Sequence, residues 1–377
     1  MGYTSQFTEL SRIFNPGTSE IYNFATGVKA TNIDFKSEGI PEDLYCENDQ
    51  TIGENNAFKY PVFIPEGPLP ARLILLFHGL NERTWNKYLA WAFVMASETK
   101  SIVILFPISF HINRSPVSWR DPRAMLNFLK ERISKREEIR SSCFANVALS
   151  NRLSDDPRRF LKSGYQTVCD VVKLMKQIRS GKHPIIPEGS RVNIFAYSIG
   201  AFLAEIIMMA NPENLFSDSL LFMFCGGSVF SNMRGESKLI MDSMAYERVY
   251  NYYMQHFEEE LVYKKNSLSR LVNGSIGMAF RSMIDISRFK DHRERELRRI
   301  GQQIFSVSLA HDKVIPQEGI RRTLNPSGKL LSCRLESINP EYPYSHENPF
   351  PVLNNKYASD VDRSFEHLFT SVADFLR

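Results

Sequence analysis

The stretch RVNIFAYSIGAFLAE, from Arg191 to Glu205, decides the fold. An apolar, strand-like run stops at Ser198, which stands between Ala196 and Gly200, and a helical pattern begins at the next residue with no linker. A serine turning sharply from strand into helix is held in a strained backbone conformation. Its neighbours two positions away must be small, or they collide with adjacent strands. Ala196 and Gly200 meet that condition and Ala201 adds room. The plainer reading is a serine that caps the following helix. The two readings predict different partners elsewhere in the chain.

Working outward, short continuous apolar runs recur on both sides: RLILLFHG (72–79), SIVILFP (101–107), SLLFMFCGG (219–227), QIFSVSLAHD (303–312) and KLLSCRLESI (329–338). Helical spacing appears between them, in TWNKYLAWAFVMASET (84–99), from Phe160 to Ile178 and from Ile199 to Met209. A last apolar stripe runs from Val361 to Leu376. Strands without polar alternation, separated by helices, predict an α/β fold with an open, mostly parallel sheet covered on both faces. Before Pro70 only FKYPVFIP (58–65) reads as a strand. In such sheets ligands bind beyond the carboxyl ends of the strands, where Ser198, His78-Gly79 and Ala310-His311-Asp312 all fall.

These pieces resemble the α/β-hydrolase superfamily. Its G-x-S-x-G elbow is matched by Ala196-Tyr197-Ser198-Ile199-Gly200, with alanine replacing the first glycine. The resemblance spans roughly residues 58–377 and implies the chain order serine, acid, histidine. A serine hydroxyl needs a base to take its proton, and the base needs an acid to hold one tautomer. Asp312 follows an apolar strand, as the family's acid does. His346 lies in NPEYPYSHENPFP, the loop before the last helix, where the family carries its histidine. The rival is His367, which sits inside the terminal helix between Phe365 and Leu368, whereas His311 is a bystander that one position along its turn points elsewhere. The oxyanion donors implied are the backbone N–H groups of Leu80 and Ile199, with the Asn81 side chain a weaker addition.

The resemblance therefore implies a metal-free serine hydrolase acting on a small-molecule acyl ester through Ser198, His346 and Asp312. The same triad also serves acyl transfer or peptide cleavage, and a non-catalytic binding protein on this fold is the rival of another class. Residues 58–228 and 300–377 form the expected core. Residues 1–57 are an N-terminal extension, and 229–299 an aromatic helical lid in which Tyr246, Tyr250, Tyr253 and Phe257 either line a pocket or pack helices. A second insertion, 114–158, carries Trp119 and Arg120, which either reach the cleft or serve structure, the latter being expected.

Composition limits the rest. The chain has 377 residues, 43% hydrophobic and 23% charged, with a net charge of +4, so nothing calls for nucleic acid. No apolar run reaches the roughly 18 residues of a membrane span. With no basic, apolar leader in view, a cytoplasmic location is expected. Five scattered cysteines indicate neither a disulfide framework nor a metal site, and Cys169 and Cys225 are expected to be buried. No cofactor motif is present.

Overall fold

The computed structural model describes residues 2–15, 21–23, 27–46, 48–134, 138–263, 267–326, 332–352 and 355–377. Nine strands among these form a single sheet: β1 (Ile21–Asn23), β2 (Val28–Lys36), β3 (Ala57–Pro65), β4 (Arg72–Phe77), β5 (Ile102–Leu105), β6 (Arg191–Tyr197), β7 (Leu221–Phe224), β8 (Ile304–Leu309) and β9 (Arg334–Ile338). Their order is β1-β2-β3-β5-β4-β6-β7-β8-β9. Neighbours from β5 across to β9 are parallel, whereas β1, β2 and β3 pair antiparallel and β3 joins β5 antiparallel. Helices cover both faces, each over its own apolar cluster. This is the α/β-hydrolase fold. Its parallel central strands β4 to β8 are buried toward both layers, with apolar side chains except at the strand starts Arg72 and Arg191 and at Asn193, Ser306 and Ser308.

The central strands lie where their apolar runs place them, and helices Asn86–Thr99, Arg159–Arg179, Ile199–Ala210 and Ala358–Leu376 follow the expected stripes. Residues 329–331 of the run before β9 lie outside the described residues.

The N-terminal region holds more structure than its sequence suggests. β2 pairs with β3 over its whole length, and helix Tyr3–Ile13 docks on the last helix, where Tyr3 stacks on Phe365 at 4.2 Å between ring centres. On β2 only Val28, Ala30 and Phe35 are buried, the first two in one apolar cluster and Phe35 in the other, so few buried residues split between two faces leave a weak apolar signal. The long insertion after β7 folds into short helices, including Ser243–Asn251, Phe257–Tyr263, Ser267–Asn273, Ser275–Ser282 and Lys290–Ile300. Helix Ser275–Ser282 packs against helix Ile199–Ala210.

On that same helix Glu205 is fully buried, and neither of its carboxylate oxygens has a hydrogen-bond partner among the described residues. Burial pushes its pKa well above the ordinary glutamate value, a shift that the charge of Arg293 only partly offsets. The folded state therefore prefers the protonated acid. That stability is complete below the ordinary glutamate pKa and drains away as pH rises toward the folded value. Glu205→Gln removes the loss. Thermal melts are expected to show the variant gaining on the wild type between acid and mildly alkaline buffer, by about 2–4 °C. Parallel melting curves across that range would contradict the account.

Candidate active site

β6 delivers Tyr197 and then Ser198, whose φ of 59° and ψ of −124° put an L-residue in a region that costs ~1–3 kcal/mol. Two residues on, Gly200 slides against the end of β4. A Cβ at Gly200 would lie 2.5 Å from the Phe77 carbonyl oxygen, so no larger residue fits without moving a strand. Ala196 is buried and pairs with Phe77 and Met223. A methyl is accommodated where the family pattern has glycine. The Ser198 side chain makes no capping bond to its helix, so the simple cap is not what the hydroxyl does.

Instead the hydroxyl meets His346 Nε2 at 2.6 Å, and His346 Nδ1 meets Asp312 Oδ2 at 2.7 Å. The other Asp312 oxygen, Oδ1, accepts the backbone N–H groups of Val314 at 2.8 Å and Ile315 at 2.9 Å. All three side chains are buried. With the carboxylate accepting from Nδ1–H, the Nε2 lone pair is left facing the serine. His311 is exposed on its turn beside Tyr344, and His367 is exposed on the last helix.

Leu80 follows β4 and borders, with Ser198 and Ile199, one small apolar cavity. Among the described residues neither the Leu80 nor the Ile199 N–H has a hydrogen-bond partner. The neighbouring Gly79 N–H is committed to the Tyr88 hydroxyl at 3.0 Å. Asn81 is spent elsewhere, its amide donating to the carbonyls of Ala145 at 2.9 Å and Leu239 at 2.8 Å.

Below the loop, burial drives the pKa of His78 down to about 4, so the ring is neutral at pH 7. Its Nδ1 donates to the Gly79 carbonyl at 2.8 Å, and its Nε2 accepts the Ile108 N–H at 3.0 Å. His78 thus pins the turn from beneath.

Several site residues escaped the sequence reading. Tyr197 donates its hydroxyl to the His346 carbonyl, and its ring stacks on the imidazole at 5.7 Å between centres. Tyr88 donates to Glu82 at 2.8 Å, Glu82 also pairs with Lys87, and the Lys87 ammonium lies 4.9 Å from the Tyr197 ring centre. One chain of contacts therefore joins the Leu80 turn to the His346 loop. Cys225, just after β7 at φ 54°, is buried as expected, while Cys169 is half-buried. Donor atoms of Cys225, Asp312 and His346 lie within 4.8 Å of one another. Burial, and next the charge of Asp312, hold the Cys225 thiol protonated.

Two differently lined spaces meet at Ser198. One is a polar basin bordered by His346, Tyr197, Arg83, Lys87 and Arg120. The other is the apolar cavity with Leu80, Ile199, Met241 and Tyr246. Behind it, sharing Leu80, Phe160 and Ile199, is a further apolar cavity with an empty volume of about 790 Å³ that does not touch Ser198. Of the four lid aromatics only Tyr246 lines the nearer cavity. Tyr253 and Phe257 pack with Phe280 at 5.6 and 6.0 Å, and Tyr250 with Phe230 at 6.2 Å.

Fold and site together define an α/β-hydrolase-type chain with a serine, histidine and aspartate in hydrogen-bonded series. The chain belongs to the family of unknown function DUF6051, whose model matches residues 38–377. No curated protein matches it in sequence. Among solved structures it is similar to carboxyl esterase 2 from the mycorrhizal fungus Tuber melanosporum, at 10% identity and TM-score 0.48, covering 99% of this chain and 98% of that one. It is also similar to a mutant of esterase Est22, at 13% identity and TM-score 0.49, with 99% and 85% covered. A cold-adapted esterase from an Arctic intertidal metagenomic library matches at 10% identity and TM-score 0.46, with 97% and 100% covered. At such identities the reaction has to be read from this chain's own residues.

Proposed function

We propose that this protein is a serine hydrolase that cleaves ester-type carbonyl compounds through an acyl-enzyme. The observation that carries the reading is the unbroken series from Ser198 Oγ through His346 to Asp312, at 2.6 and 2.7 Å, buried at the carboxyl ends of the strands. His346 takes the Ser198 proton as the hydroxyl oxygen attacks the carbonyl carbon, and Asp312 supports the imidazolium that results. The oxygen that gains negative charge is received by the Leu80 and Ile199 N–H groups. The second of these stands at a helix N-terminus, where the helix dipole adds to the attraction. His346 then gives the proton to the departing alkoxide, and water, activated by the same base, releases the acid. In this reading residues 229–299 act as a lid whose Met241 and Tyr246 border the acyl side.

A fluorophosphonate tests the chemistry independently of substrate choice. The folded chain is expected to gain one phosphonyl group, and peptide mass mapping is expected to place it on Ser198. Absence of labelling, or equal labelling of Ser198→Ala, would remove the proposal's basis.

A further inference from the structure

The two spaces beside Ser198 differ in which of them His346 borders, and that difference orients an ester. A departing alkoxide must receive its proton from His346 Nε2, so the alcohol part lies in the space that His346 lines. That space is the polar basin; the apolar cavities are bordered by Leu80 and Ile199 but not by His346. The acyl chain therefore points into apolar surroundings and the alcohol into a charged one.

The basin's charges are unevenly satisfied. Lys87 and Glu82 neutralise each other, and Glu347 accepts a hydrogen bond from Ser237. Arg83 and Arg120 have no ion pair among the described residues. Arg83 lies 5.9 Å from the Phe144 ring centre. Among the described residues Arg120 Nε is buried without a hydrogen-bond partner, and the guanidinium is attracted by the charge of Glu54. Arg83 and Arg120 both line the basin, Arg120 bordering a second groove with Asp34 and Lys59 as well. An arginine fork with no anionic partner has unspent capacity for a carboxylate or a phosphate.

We infer that the alcohol part of the substrate carries an anionic oxygen group, a carboxylate or a phosphate, held by Arg83 and Arg120 while an apolar acyl chain fills the cavities beyond Leu80 and Ile199. This rests on the hydrolase reading. The reaction is ordinary hydrolysis: the acyl C–O bond breaks, water supplies the hydroxyl of the released acid, and its proton ends on the anionic alcohol.

The test compares the hexanoyl esters of a hydroxybenzoate, of the corresponding methyl hydroxybenzoate, and of a hydroxyphenyl phosphate, using the full chain. At low ionic strength kcat/KM, corrected for each ester's rate with hydroxide, is expected to favour one of the anionic esters over the neutral one by about tenfold or more. Whichever anion gains more identifies the group. The preference is expected to shrink as salt is added to the wild type, a measurement that needs no variant. It is expected to collapse in Arg83→Met and Arg120→Met and to survive in part in the lysine variants. Cleavage of the neutral ester with no charge preference, or a preference indifferent to both salt and substitution, overturns this inference and leaves the hydrolase reading intact. If no ester is cleaved and the fluorophosphonate leaves Ser198 unmodified, the hydrolase reading itself fails.

Discussion

Replacing Ser198 with alanine is expected to lower kcat for hexanoyl ester hydrolysis by on the order of 10⁶-fold, with the melting temperature almost unchanged. The size follows from the series of bonds. Among the described residues the Ser198 hydroxyl, 2.6 Å from His346 Nε2, is the side chain hydrogen-bonded to that nitrogen, and without it the base and its acid are left with water to activate. Alanine keeps the Cβ and the same backbone constraint, so the elbow at φ 59° is neither relieved nor worsened. Ester turnover by the purified variant, with circular dichroism as the folding control, is the measurement. A loss smaller than about tenfold would show that the reaction does not pass through this oxygen.

Asp312→Asn is expected to cost about 10⁴-fold in kcat, through the tautomer of His346 rather than through lost structure. The geometry dictates which way the new amide must turn. Oδ1 of Asp312 accepts two backbone N–H groups, from Val314 and Ile315, so the amide oxygen of asparagine has to take that position. Its NH₂ is then forced toward His346 Nδ1, where a carboxylate oxygen stands in the wild type at 2.7 Å. A donor there favours the ring with its proton on Nε2, which points a hydrogen at the serine and cannot accept one. Asp312→Ala lacks that misdirecting donor and is expected to retain more activity than the nearly isosteric asparagine. The opposite ranking in steady-state kinetics would mean that Asp312 serves mainly to shape the turn.

Much of the sheet was legible because β4 to β8 are buried on both faces, and a strand buried on both faces announces itself as an unbroken apolar run. β2 was not legible, since Lys29, Thr31, Asn32 and Asp34 interrupt its apolar residues and the buried Val28, Ala30 and Phe35 are divided between the two faces of the sheet. Ser198, Asp312 and His346 were suggested by their chain order and by the strand ends they follow, and the structure brings them into contact. Their supports left no comparable mark. Tyr88 and Tyr197 are buried aromatics, and the hydroxyl each directs to Glu82 or the His346 carbonyl depends on folded geometry. Arg120, expected to serve structure, borders the basin because its short helical turn at Val117–Arg120 places it there. A lone arginine in an insertion carries no periodicity to reveal that.

The relay is spread thinly along the polymer: 148 positions separate the serine from the histidine, and 34 separate the histidine from the aspartate. No segment shorter than Ser198 to His346 contains all three members, so a fragment that stops short of either end would be chemically silent even if it kept most of its native content. Turnover is therefore a gauge of complete tertiary assembly, more exacting than any spectroscopic average over the backbone.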